Sequence, residues 1–203
     1  MPNNHSPDIE TLRAEIAAAA ARMIAEDGAD YGSAKRKAVK QILGETRVAG
    51  QILPDNAQIE DEVRLYNELF FADSQPARLT HLRGLASQIM AELAPFNPYL
   101  TGAVLNGTAG VHSDIHLQLF ADSPKDVEVY LMNRNIVFEV SETPGRSREQ
   151  TIETLSFMYR NEGVHLAIYE VDDLRRGGKA GAKRPERADL AALEAILLKD
   201  RAG

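Results

Sequence analysis

The apolar pattern of this chain changes period near Pro98, and that change constrains the fold more than any other feature. Upstream, apolar residues recur at helical spacing; downstream, several segments alternate as strands do. Ser6-Pro7-Asp8 opens a first helix, because proline is tolerated in a first turn and an acid favours the N-terminal dipole. Leu12, Ile16, Ala19, Ala20 and Met23 carry its stripe and Gly28 stops it. Tyr31-Gly32-Ser33 starts a second helix that ends at Gly44. Pro54-Asp55-Asn56 leads into a third that runs to Phe70. Ser74-Gln75-Pro76 opens a fourth, with Leu79, Leu82, Leu85, Ile89 and Leu93 apolar until Pro95. Amphipathic helices joined by short connections need a further layer on which to bury their stripes.

Beyond Pro98, Tyr99 to Asn106 reads as a strand followed by Gly107-Thr108-Ala109-Gly110. From Asp114 to Ala121, Ile115, Leu117, Leu119 and Ala121 share one strand face, and Asp114, His116 and Gln118 share the other. Ser123-Pro124-Lys125-Asp126 is a helix start with a capping hydroxyl, a first-position proline and an early acid. A strand is expected over Asn135–Ser141, a helix over Arg148–Asn161 and a strand over Val164–Val171. A glycine-rich basic loop then spans Arg175–Arg187, and a last helix spans Asp189–Leu198. The expected class is α+β: N-terminal helices (1–78), a mixed sheet flanked by helices (79–174), then the basic loop and closing helix (175–203).

Composition narrows the function classes. Across 203 residues, 44% hydrophobic and 26% charged content excludes wholesale disorder and collagen-like repeats. The apolar run Ile16–Ala21 is broken by Arg22, far short of the roughly 20 residues a membrane span needs. The absence of cysteine excludes disulfides, thiolate zinc sites and thiol nucleophiles. The opening residues show neither a basic segment nor an apolar core of the secretory kind, so a cytoplasmic protein without membrane attachment is expected. A net charge of −7 means that any polyanion must meet a local basic patch. Lys35, Arg36, Lys37 and Lys40 form one candidate and the Arg175–Arg187 loop another, although a solvated helix face and an ordinary soluble loop are the readings favoured for them. The loop is not a phosphate-binding P-loop, since it lacks the second glycine and the Ser/Thr after lysine.

One polar cluster has the makings of a site. A strand runs into Asn106-Gly107-Thr108, and Ser113-Asp114-Ile115-His116 begins the next strand. Here the sequence resembles the nucleotidyltransferase-fold superfamily in its minimal, polymerase-β-like form, over roughly residues 79–171. That family's signature is an apolar strand ending in Gly-Ser or Gly-Thr, a short helical connection, then Asp-x-Asp or Asp-x-Glu, with a third acid on a later strand. The resemblance makes Gly107-Thr108 the glycine pair, with Ser113 beside the nucleotide, Asp114 the first acid and Glu139 the third. It implies transfer of a nucleoside monophosphate from an NTP to an RNA or protein acceptor. Mg²⁺ or Mn²⁺ would be held by Asp114, His116 and Glu139. The chemistry is coherent: glycine lets backbone N–H groups approach phosphates, and hard oxygen ligands suit Mg²⁺.

His116 departs from the signature, which requires a carboxylate there, and imidazole is a poor Mg²⁺ ligand. In the transferase His116 would then be a compromised ligand or a group hydrogen-bonded to a phosphate, and the alternative is a degenerate nucleotide- or metal-binding module, or a protein- or RNA-interaction module. His112-Asp114-His116 would make a transition-metal set only if His112 sat in the preceding turn, because on a straight strand the two histidines lie about 13 Å apart. The same residues also fit a solvated strand face, and Thr108 equally fits a helix cap. His165, Glu170, Asp172 and Asp173 flank the last strand as candidate supporting groups. Segments Gly102–Thr108, Ser113–Phe120 and Val164–Leu174 also look like bacterial proteins labelled UDP-N-acetylmuramate–alanine ligase. That chemistry needs an ATP-binding Gly-Lys-Ser/Thr loop, which the sequence lacks, so the label is read as a misassignment.

Overall fold

The computed structural model describes residues 6–44, 50–144, 151–175 and 186–202. They form an α+β protein with two compact units: one holds residues up to Pro76 together with Gly110–His112, the other Ala77–Ala109 and the residues from Ser113 onward.

The first unit is helical. Helix α1 (Ser6–Asp27) packs against α2 (Tyr31–Leu43) and α3 (Asn56–Phe70). Its alanines make this contact close: Ala17, Ala20 and Ala21 are buried with Ile16 against Ala34, Ala38, Ile59 and Val63. The ends are set locally. Gly28 has φ +67°, the left-handed conformation glycine adopts without cost. The Ser33 N–H donates to Asp30 Oδ1 (2.9 Å) at the start of α2. At α3 the Gln58 N–H donates to Asp55 Oδ1 (2.8 Å), while the Asp55 N–H donates to Gln58 Oε1 (3.0 Å). This reciprocal box satisfies two otherwise unpaired donors. Lys35, Arg36, Lys37 and Lys40 belong to this unit; most of the Arg175–Arg187 loop lies outside the described residues.

In the second unit α4 (Gln75–Glu92) leads to β1 (Tyr99–Thr101), α5 (Gly102–Asn106), β2 (Ile115–Phe120), α6 (Pro124–Met132) and β3 (Glu139–Pro144). β4 (Thr151–Tyr159), β5 (Glu162–Tyr169), α7 (Val171–Arg175) and α8 (Leu190–Ala202) complete it. The five strands are ordered β1-β2-β5-β4-β3; β2 and β5 run parallel and the other pairs antiparallel. One face is apolar: Leu117, Leu166 and Leu155 share a register row and are buried with Leu82, Ile89 and Met90 of α4. Arg83 of α4 is buried and donates to the Val104 (3.0 Å) and Leu105 (3.1 Å) carbonyls of α5 and to Asp200 of α8 (2.8 Å). No helix among the described residues is long and apolar enough to cross a membrane.

Three sequence expectations are corrected. The expected Tyr99–Asn106 strand is a strand of three residues followed at once by a helix of five. Gly102, at φ +69°, turns the chain there, and Gly107, at φ +87°, ends α5. The expected Asn135–Ser141 strand begins only at Glu139: Asn135 is left-handed (φ +56°), and the Ile136 N–H still caps α6 by bonding the Leu131 carbonyl (3.1 Å). The expected Arg148–Asn161 helix is strand β4 where described, joined to β5 by Arg160-Asn161. Both turn residues have positive φ (+50° and +68°), the requirement of the tight hairpin turn whose twist matches its strands. Leu155 and Phe157 then alternate inward from this hairpin, with Ser156 outward.

Candidate functional site

Register assembles a polar row on the face of the sheet opposite Leu117, Leu166 and Leu155. Thr101 pairs with His116, His116 with His165, His165 with Ser156, and Ser156 with Glu139. Residues directly opposite in a ladder project to the same side, so one face carries all five.

At its centre the contacts are direct. The imidazoles of His116 and His165 are stacked, 4.7 Å between centroids and 20° from parallel. His165 Nδ1 lies 2.8 Å from Ser156 Oγ, and His165 Nε2 lies 3.1 Å from Asp114 Oδ2. A carboxylate only accepts, so Nε2 carries the hydrogen. With the hydrogen on Nε2 alone, Nδ1 presents its lone pair to the serine hydroxyl, which donates. Asp114 reaches His165 because Gly163 leaves room: a Cβ at Gly163 would stand 2.5 Å from Asp114 Oδ1. The His116 ring, exposed on the sheet face but crowded by its neighbours, titrates below its ordinary 6.5, first through partial loss of surrounding water and secondly because His165 is adjacent; Asp114 acts the other way.

A charged clamp braces the strand ends beneath this row. Arg78 of α4 grips both carboxylate oxygens of Glu162, its Nη2 at 2.6 Å from Oε2, and Nη2 also lies 3.5 Å from the Ser113 carbonyl. His81 Nε2 stands 3.2 Å from Glu162 Oε1. Arg78 holds the Glu162 carboxyl below its usual range. The segment preceding Asp114 and the start of β5 are thereby tied to one helix.

Of the residues expected to form the site, Asp114 and His116 come together and Glu139 stays apart. Glu139 shares their face but stands three strands from β2, about 14 Å at ordinary strand spacing, with Ser156 and His165 between. The expected Asp114–His116–Glu139 metal set is thus not drawn together. No group of three or more His, Asp or Glu side chains placed to hold a metal ion occurs among the described residues. One carboxylate flanked by two imidazoles also does not fit the oxygen-rich shell that Mg²⁺ requires. His112 is packed on Gly28 in the first unit, where a Cβ on Gly28 would meet His112 Cβ at 2.6 Å.

Gly107-Thr108, expected as the glycine pair, does not close β1. β1 ends at Thr101 and the helix after it opens with Gly102, so the residues closing the strand are Gly102-Ala103. A Cβ on Gly102 would lie 3.9 Å from His116 Cβ. Gly107 and Thr108 stand at the far end of α5. Gly107 caps it, and Thr108 is buried with its Oγ1 donating to Asn106 Oδ1 (2.6 Å). Ser113 lies beside Arg78 through its carbonyl. Glu170, Asp172 and Asp173 fall at the opposite end of β5 from this row, where Glu170 lines a cavity of about 210 Å³ with Asp122, Glu142 and Glu153. There the Glu153 carboxyl is pushed up, first by burial and then by the neighbouring Glu128.

Ser156 is not among the candidates the sequence offers, because the spacing over Arg148–Asn161 predicts a helix. The signal was present in the alternation of Leu155, Phe157 and Tyr159. Once Arg160-Asn161 is taken as a two-residue turn, counting outward pairs Ser156 with His165.

No protein-family model matches the chain. No curated protein matches it either. Among solved structures, a chain described as "structure of GLD-2/RNP-8 complex" is similar at a TM-score of 0.31 and 18% identity, over 57% of this chain and 48% of that one. This chain thus spans about half of that chain's length, and a likeness of that extent assigns no activity.

Proposed function

We propose that this chain is a nucleotidyltransferase-like protein that binds the phosphates of a nucleotide without transferring them through divalent metal. The observation that carries the reading is the residue two beyond Asp114. Where the family signature requires a second carboxylate, His116 stands stacked on His165, and the expected third acid, Glu139, lies three strands from β2. A metal clamp in such chemistry stabilises charge on the attacking and leaving oxygens. Without the second carboxylate that step has no support, whereas the His116 imidazole N–H beside the Gly102 turn is a suitable phosphate donor. The order of elements supports the same reading: strand, glycine turn, short helix, then Ser113-Asp114-Ile115-His116 entering the next strand.

Calorimetry with each of the four NTPs, with Mg²⁺ and with EDTA, tests it alongside incubation with α-labelled NTPs, Mn²⁺ and RNA or protein acceptors. Binding that persists in EDTA and is lost in His116→Ala, with no label transferred, is expected. Metal-dependent labelling abolished by Asp114→Ala would replace this reading with an active transferase. Absence of any nucleotide binding would leave the interaction-module alternative.

A further inference from the structure

We propose that Ser156, His165 and Asp114 form a nucleophilic serine site that takes activated carboxylic and phosphonic esters. Three observations converge on it. Ser156 Oγ and His165 Nδ1 are 2.8 Å apart, within reach for proton transfer. His165 Nε2 is 3.1 Å from Asp114 Oδ2, which places the ring hydrogen on Nε2 and the lone pair toward the serine. His116 stacks on the His165 ring and fixes its plane, and the missing side chain at Gly163 gives Asp114 its room. Nucleophile, base and orienting acid come from β4, β5 and the residue preceding β2, so the sheet ladder holds their spacing. Ser156 and His165 are half-buried and remain open to a small reagent.

The step is a displacement. With a fluorophosphonate, Ser156 Oγ attacks phosphorus, the O–P bond forms, the P–F bond breaks and fluoride leaves, while the hydroxyl proton passes to His165 Nδ1. With an activated carboxylic ester, Oγ attacks the carbonyl carbon and the alkoxide leaves, protonated from His165. Ser156 and His165 are the reacting groups; Asp114 is a positioning residue that acts through His165. The proposal is independent of the nucleotide reading, since neither nucleotide nor metal enters the step.

The test incubates the full chain with a fluorophosphonate in EDTA without nucleotide and maps the adduct by tandem mass spectrometry. Expected are one adduct, on Ser156, none in Ser156→Ala, none in urea-unfolded chain, and a rate lowered about 100-fold or more in His165→Gln. Circular dichroism and thermal melting confirm that both variants are folded, and the mapped adduct on the unaltered chain stands without them. Asp114→Asn is read by ¹⁵N NMR of the His165 ring, where the Nε2–H pattern of the unaltered chain should give way to mixed tautomers. No adduct on Ser156, an equal rate in His165→Gln, or equal labelling of unfolded chain would overturn the proposal. A His165 ring carrying its hydrogen on Nδ1 would do the same.

Discussion

The imidazole of His116 lies against that of His165, 4.7 Å between centroids, at the junction of the parallel strands β2 and β5. Two rings so close cannot both carry charge without cost, so protonating one disfavours protonating the other. NMR titration should therefore find His116 with a midpoint below 6.5. His165→Asn should raise that midpoint while leaving it below 6.5, because packing, the larger cause, remains. The sign for folding follows. The unfolded chain takes up the proton first as pH falls through 6.5, so stability declines below that value until the folded ring is also protonated. A His116 midpoint at or above 6.5 would contradict this account.

Gly163→Ala should displace Asp114. The added methyl would stand 2.5 Å from Oδ1 and 2.6 Å from Cγ, inside any acceptable contact. The carboxylate must swing away and His165 loses the acceptor for Nε2. Because the atoms it meets end a half-exposed side chain, the swing itself should cost little stability in urea unfolding. The His165 tautomer signal should change with it, and an unchanged signal would mean that Asp114 does not set the tautomer.

The Arg78–Glu162 clamp predicts acid sensitivity. Arg78 depresses the Glu162 carboxyl below 4.5, so its contribution is complete above that pH and is lost as pH falls through the folded value. Arg78→Met should lose about 2 kcal/mol at pH 7, less than a fully buried pair would because both side chains are partly exposed. The difference between variant and unaltered chain should shrink as pH falls below 4.5 and through the folded value. Denaturant midpoints measured from pH 3 to 7 check this.

Glu153 should behave oppositely. Burial and Glu128 raise its carboxyl above 4.5, so its protonated form favours the fold below 4.5 and that advantage is lost as pH rises through the folded value. Glu153→Gln keeps the shape and removes the charge. It should raise the melting temperature at pH 7 and leave it unchanged well below pH 4.5, measured by calorimetry.

Arg83 is a structural test of the second unit. It is buried and bonds two carbonyls of α5 and the Asp200 carboxylate. Arg83→Met strands those acceptors and should cost about 3 kcal/mol in denaturant unfolding. A loss within the range of ordinary surface substitutions would show that water replaces the guanidinium there.

Much of this architecture is written locally. Asp30, Asp55, Gly28 and Gly44 mark helix ends by chemistry confined to a few neighbouring residues, and Ile115, Leu117 and Leu119 mark β2 by alternation alone. The segment Thr151–Tyr159 is ambiguous locally because Ile152, Leu155 and Met158 also recur at near-helical spacing. Ile152 is buried although it faces away from Leu155, which blurs the alternation further.

The candidate site was legible only in part for the same reason. Asp114 and His116 stand two apart on one strand, so their shared face follows from strand geometry. Glu139 shares that face too, but its distance depends on which strands lie between, and strand order is a property of the whole sheet.

The sequence by itself determined the α+β class, most helix limits and the polar face of β2, because caps and periodicity act between near neighbours along the chain. Only the tertiary structure decided that β2 pairs with β5, that Asp114 meets His165, and that Glu139 stands apart. Those outcomes turn on backbone pairing between distant segments, where a strand must find partners for its N–H and C=O groups and no local signal names them.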